Sequence, residues 1–173
     1  CFVGSHMVEY LLEKGYKVIA SDHPGVSSNG LKGKTDFVPI DLTDSNSLKA
    51  LNNHAVSRVF HIAGLFDYTA SWDRLYNVNC EGTRRLLETL QGQKANIKSI
   101  VIWSSGSVYG RSFKKYPTKE SEPPSPINDY EKSKLIQEQV AFKFYASEGL
   151  PVICIRPAAI YGPRSRYGLA VPI

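Results

Sequence analysis

The sequence predicts an α/β fold, a parallel sheet wound on both faces by helices, and three observations predict it. Short runs of β-branched and aliphatic residues alternate along the chain with longer stretches of helical periodicity. Most of the short runs are apolar at consecutive positions rather than alternate ones, as strands buried on both faces are. Each run ends in small or polar residues, and the helical stretches are long enough to serve as the right-handed crossovers that parallel strands require.

Taken in order, Met7, Val8, Leu11 and Leu12 recur at helical spacing between Ser5 and Lys14, and Gly15 stops the pattern. This predicts a helix with one buried face. Lys17 to Ala20 reads as a strand that leaves through Ser21-Asp22 into the His23-Pro24-Gly25 loop. Phe37-Val38-Pro39-Ile40 reads as the next strand, ending at Asp41, and Thr43 to Asn53 as a helix with Leu48 and Leu51 inward. Arg58 to Ala63 is a third strand, broken by Gly64. Ser71 to Leu90 is the longest helical pattern, with Leu75, Val78, Leu86, Leu87 and Leu90 on its apolar face. Ile97 to Trp103 is a buried strand, Ser104 to Asn128 is mostly loop, Tyr130 to Gly149 is a helix, and Pro151 to Ile155 is the last strand.

Composition narrows the class further. The 173 residues are 42% hydrophobic and 21% charged, the mix of an ordinary globular domain, and are read as one domain, residues 1–173. The excess of 21 Lys and Arg over 16 Asp and Glu is scattered, with no basic stripe, so no nucleic-acid partner is expected. No apolar run approaches the ~18 residues of a membrane span and no basic segment precedes a short apolar core, so neither a membrane partner nor a signal peptide is expected. Cys1, Cys80 and Cys154 lie far apart and read as free buried thiols in a cytoplasmic protein. Four histidines show no metal-ligand spacing, and no metal is expected.

In such sheets ligands bind at the carboxyl ends of the strands, so the residues there are the ones to weigh. Gly4 stands 18 positions before Asp22 with a helix and a strand between. That is close to the spacing of dinucleotide-binding units, where a glycine lets helix and strand approach and an acid holds a ribose hydroxyl. The same residues also suit a plain helix start and a loop Asp. Asp22 is not followed by Lys or Arg, which favours NAD over NADP. Tyr130 and Lys134 stand four apart on a helix, hence on one face. A Tyr serves as a base at neutral pH only if its pKa falls by about 3 units, roughly 4 kcal/mol, which a nearby ammonium helps supply. A surface Tyr lying over a Lys stem gives the same spacing. Trp103-Ser104-Ser105-Gly106-Ser107-Val108-Tyr109-Gly110 breaks a strand into hydroxyl residues, where a Ser can hold a substrate oxygen as charge develops, or simply close a turn. A nucleophilic Ser is the rival, but the segment lacks the Gly-x-Ser-x-Gly pattern.

Together these motifs resemble the extended short-chain dehydrogenase/reductase superfamily, the branch of NAD-dependent epimerases and dehydratases, along essentially the whole chain. Cys1-Phe2-Val3-Gly4 is similar to the end of its glycine-rich loop, with Cys1 where the pattern has a second glycine. Asp22 matches the ribose-binding acid, Asp41-Leu42 the pair beside the adenine, and His61-Ile62-Ala63-Gly64 the strand end along the cofactor. Asn77-Val78-Asn79 with Gly82-Thr83 matches the central helix, and Ser104-Ser105 through Val108-Tyr109-Gly110 the serine segment. Tyr130 and Lys134 match the catalytic pair, and Arg156-Pro157 through Tyr161-Gly162-Pro163 the passage toward the substrate domain.

The resemblance implies a Rossmann-like three-layer fold and a hydride exchanged between a hydroxyl-bearing carbon and NAD. It implies Tyr130 as acid/base, Lys134 holding the nicotinamide ribose, and Ser105 positioning the substrate oxygen. Phe2, Val3, Gly4, Asp22, Asp41, Leu42, Ala63, Gly64, Asn79, Ser104 and Pro157, with Tyr130 and Lys134, form the implied cofactor set. Family members that bind nucleotide sugars carry an Asn three positions after the Arg of the final motif, where this chain has Ala159. Dehydratases place an acid beside the serine, where Gly106 and Ser107 follow Ser105. The sequence therefore leans to a hydroxyl/ketone oxidoreductase acting on a small molecule, with a nucleotide-sugar 4-epimerase next and a non-catalytic binding module as a further alternative. The expected partner is a second copy, through a four-helix interface near Ser71–Leu90 and Tyr130–Gly149. Because the sequence opens inside a helix and closes soon after Tyr161-Gly162-Pro163, it is read as a piece truncated at both ends. The first strand and most of the substrate domain are expected beyond it.

Overall fold

The computed structural model describes residues 1–26, 31, 33–110 and 117–165. Helix α1 (Phe2–Glu13) leads to strand β1 (Ile19–Asp22), β2 (Asp36–Pro39) and the short helix α2 (Ser45–Leu48), which tightens into a 3₁₀ turn over Lys49–Asn53. Strand β3 (Arg58–His61) is followed by α3 (Trp72–Leu75), a π-helical stretch over Tyr76–Glu81 and α4 (Gly82–Gln91). Then come β4 (Ser99–Trp103), a 3₁₀ turn at Gly106–Tyr109, helix α5 (Asp129–Glu148) and β5 (Val152–Ile155). The sequence expectation of a loop from Ser104 to Asn128 holds apart from that turn, and its residues 111–116 lie outside the described ones.

Every strand pair is parallel, as the consecutive apolar runs require. Among the described residues β1 pairs with β2, and β3, β4 and β5 form a second sheet with β4 in the middle. The centre strand sets Ile100 opposite Val59 and Val152, and Ile102 opposite His61 and Cys154. Ile100 and Ile102 are fully buried and meet Leu48 of α2, Leu86, Leu87 and Leu90 of α4, and Ala141 of α5 in one core. This core lies beneath the strand ends where the site forms.

Helix α5 has strong signals at both ends. The Asn128 side chain accepts the Glu131 N–H at 2.9 Å, and the Glu131 carboxylate in turn accepts the Ile127 N–H at 2.8 Å. The first turn is thus capped from two sides. At the other end Gly149 takes φ +66°, the left-handed conformation that a glycine allows, and passes the chain into β5.

Three expectations need correction. Helix α1 begins at Phe2 rather than Ser5 and has no fully buried residue; Met7, Val8, Leu11 and Leu12 are only half-buried. Its fixed contacts are polar and peripheral, with His6 bonded to the Pro163 carbonyl at 2.9 Å and Glu9 paired with Arg164. The thiols are free as expected, yet only Cys80 is buried; Cys1 is exposed because it precedes the helix. Strand β1 also begins two residues later than the apolar run predicts and includes Ser21 and Asp22, because their backbones pair with Val38 and Pro39. Among the described residues no helix is long and apolar enough to cross a membrane.

Candidate functional site

The carboxyl ends of the five strands carry the residues singled out from the sequence. Asp22 ends β1, where its carboxylate accepts the His23 N–H at 2.9 Å. Asp41 follows β2 and accepts both the backbone N–H and the hydroxyl of Thr43, which hold its carboxyl below the usual range. Leu42 lies against α4 so closely that a Cβ on Gly82 would stand 2.8 Å from its own. Phe2, Val3 and Gly4 form the first turn of α1, where backbone N–H groups lack intrahelical acceptors.

Ala63 and Gly64 follow β3. A Cβ at Gly64 would lie 3.1 Å from Asn79 Oδ1 and 3.7 Å from Lys134 Nζ, so the backbone here stays bare against the π-helical stretch and α5. Asn79 is fully buried, and its amide is spent on protein: Oδ1 accepts the Leu65 N–H at 2.7 Å, and Nδ2 donates to the Leu65 carbonyl and to Ser133 Oγ. Asn79 thus joins the post-β3 loop to α5. Asn79 and Cys80 are both buried within the π turn. Nearby His61 is buried, and burial with the Lys134 charge pushes its pKa down to about 3. It is therefore neutral, and it reaches Thr83 Oγ1 at 2.8 Å.

Lys134 is buried as well, and burial lowers its ammonium to about 8. Its Nζ donates to the Trp103 carbonyl at 2.6 Å, one residue before the serine turn. Tyr130, one helical turn earlier, is 8% exposed. Its ring meets Phe66 and Tyr68 edge to face, with centroids 5.0 and 5.2 Å away, and those two rings are 42% and 57% exposed. The sequence offered no signal for this aromatic pair beyond an apolar residue in a loop.

At the end of β4 the chain folds into the 3₁₀ turn that α5 packs beside. Ser105 caps it, with Oγ 2.8 Å from Ser107 Oγ and accepting the Ser107 N–H at 3.2 Å. The turn is tied to β5 by the Ser104 N–H to Ile155 and the Gly106 N–H to Pro157, at 2.9 and 2.8 Å. That places Pro157 against the serine segment as the sequence suggests. Ser104 does not face open space; its hydroxyl donates to Glu138. Glu138 and Arg156, which pair at 2.7 Å, were missed as partners because Glu138 alone reads as a solvated charge and Arg156 only as part of the strand-end motif. The available signal was Glu138's place four residues beyond Lys134 on the same buried face.

Parallel strands with acids at two strand ends, a bare glycine backbone at a third and a hydroxyl turn beside a buried Tyr and Lys define a class. It is that of doubly wound α/β domains that take their ligand along the carboxyl edge. The chain belongs to the NAD dependent epimerase/dehydratase family, whose model matches residues 1–171. It is 32% identical over 96% of its length to a UDP-N-acetyl-alpha-D-glucosaminuronate decarboxylase of Bacillus cytotoxicus, covering 54% of that protein. It is 33% identical over 94% of its length to a decarboxylating sterol-4-alpha-carboxylate 3-dehydrogenase of Mus musculus, covering 44% of it. Among solved structures, the Thermus thermophilus UDP-glucose 4-epimerase in complex with NAD superposes with a TM-score of 0.86 at 27% identity, over 94% of this chain and 53% of that one. The chain spans about half the length of the relatives it matches.

Proposed function

We propose that this chain is the cofactor-side domain of an NAD-dependent oxidoreductase that interconverts a hydroxyl and a ketone on a small molecule. The observation that carries the reading is the buried Tyr130–Lys134 pair, set one turn apart on α5 beside the Ser105 turn. The residues present fit a dinucleotide. Asp22 offers a carboxylate to ribose hydroxyls at the end of β1, and Asp41 and Leu42 stand beside it. The first turn of α1, Phe2 to Gly4, offers backbone donors to phosphate, and Gly64 keeps a passage clear where a Cβ would press on Asn79. Bound NAD supplies the acceptor for hydride.

In this reading Tyr130 exchanges the proton of the substrate hydroxyl, and Ser105 Oγ, held beside Ser107, steadies the same oxygen. Lys134, whose Nζ donates to the Trp103 carbonyl, would hold the nicotinamide ribose. Asn79 holds the backbone at Leu65, and with it Ala63 and Gly64, in place. Ser104 and Pro157 hold the adjoining strand ends. NAD is favoured over NADP because no Lys or Arg follows Asp22. A homodimer through the helices of residues 71–90 and α5 belongs to the same reading, supported by exposed Phe142 and Tyr145 on α5, as does a cytoplasmic location, supported by free thiols.

A nucleotide-sugar 4-epimerase is the second reading, favoured by the similarity to UDP-glucose 4-epimerases. The test is a panel of UDP-glucose, cyclohexanol and a 3-hydroxysterol with NAD, followed by NADH absorbance. An oxidoreductase accumulates NADH with one of the alcohols. An epimerase converts UDP-glucose to its C4 epimer and accumulates none, and silence across the panel contradicts both.

A further inference from the structure

Helix α5 carries, one turn beyond Lys134, a buried carboxylate that the proposed reaction does not use. Glu138 is 2% exposed. Its Oε1 accepts from Ser104 Oγ and from Arg156 Nε, the latter at 2.9 Å, and its Oε2 accepts from Arg156 Nη2 at 2.7 Å. The same guanidinium donates its third bond, from Nη1 at 2.7 Å, to the Tyr109 hydroxyl and lies 4.8 Å over the Tyr109 ring. Ser104 and Tyr109 are the two ends of the turn that holds Ser105.

A buried ion pair is a costly way to hold a fold, since apolar residues of similar size often serve stability as well. What it supplies is direction, because a forked guanidinium and a carboxylate accept only a narrow geometry. We infer that Glu138 and Arg156 form a positioning pair that aims Ser105 at the reacting oxygen, gripping its turn at the start through Ser104 and at the end through Tyr109. Glu138 and Tyr130 share one rigid helix, eight residues or about 12 Å apart along its axis, so the pair sets serine and tyrosine in a common frame. Among the described residues backbone bonds tie the turn to the β5 side at Ser104 and Gly106, and the Ser125 N–H donates to the Val108 carbonyl at 2.9 Å near its far end, where the Tyr109 hydroxyl adds a side-chain tether to Arg156.

This inference rests on Ser105 as the hydroxyl that holds the substrate oxygen, and a double-mutant cycle tests both. Tyr109→Phe removes the tether but keeps the ring under Arg156, so the fold survives where loss of Glu138 would leave Arg156 unpaired. With NAD and the panel member turned over fastest, Tyr109→Phe lowers kcat about tenfold while KM for NAD stays within about twofold. Ser105→Ala lowers kcat about 100-fold. The double variant is no slower than Ser105→Ala alone, because a tether acting through Ser105 has nothing left to aim. A tenfold loss in both backgrounds, or an unchanged kcat in Tyr109→Phe, overturns the positioning role and leaves the proposed reaction intact. An unchanged kcat in Ser105→Ala, or no turnover of any panel member, overturns the reaction reading and the inference with it.

Discussion

Replacing Lys134 with Met should make the ligand-free protein more stable while abolishing its turnover. Burial lowers the Lys134 ammonium from its ordinary 10.5 to about 8, against the smaller opposing pull of neighbours that include Glu138. Because the folded value lies below the unfolded one, the unfolded chain holds the proton more tightly, so the charge weakens the fold below pH 8. That cost fades as pH rises from 8 toward 10.5. The gap of about 2.5 units disfavours the folded state by about 3 kcal/mol at pH 7 and by about 1 kcal/mol at pH 9.5. Met keeps the stem and removes the charge, but leaves the Trp103 carbonyl without its donor, a loss of about 1–2 kcal/mol. The variant should therefore be more stable by about 1–2 kcal/mol at pH 7, and near parity at pH 9.5. Urea unfolding followed by circular dichroism at the two pH values measures the gap, and other titrating groups cancel in the difference. A variant less stable than the parent at pH 7, or a gap that does not narrow by about 2 kcal/mol, refutes the reasoning.

Gly110 has φ +62°, and a Cβ there would stand 1.9 Å from the Ser125 carbonyl oxygen, so Gly110→Ala should cost at least about 3 kcal/mol in urea unfolding. Asn79→Ala should cost about 3 kcal/mol in the same measurement, because it leaves both backbone groups of Leu65 without their partner and removes one of the two bonds of the Ser133 hydroxyl. Burial pushes the thiols of Cys80 and Cys154 up to about 12. Ellman's reagent at pH 8 should therefore label exposed Cys1 quickly, half-buried Cys154 slowly, and buried Cys80 only on unfolding.

The fold was legible where a residue's chemistry acts locally. The Asn128 cap, the Gly149 stop and the apolar run at Ile100 and Ile102 mark α5 and β4 by themselves. The Ser71–Leu90 pattern does predict a continuous helix, but the π turn inside it is invisible to periodicity. Leu75, Leu86, Leu87 and Leu90 recur much as in a regular helix, so the spacing carries no mark of the wider turn. Ser105, Tyr130 and Lys134 were legible by spacing and order. Their supports were not, since the Ser104–Glu138–Arg156–Tyr109 chain joins residues up to 47 positions apart through side chains alone. The weak burial of α1 was equally hidden, because amphipathic spacing records an apolar face without recording what covers it.

Tyr130→Phe tests the central claim most directly. It deletes one hydroxyl and keeps the ring between Phe66 and Tyr68. NADH titrated by fluorescence should bind the variant within about threefold of the parent, while turnover of the active panel member falls by about 1000-fold. Turnover kept within tenfold, with NADH still bound, would contradict Tyr130 as the group that moves the proton.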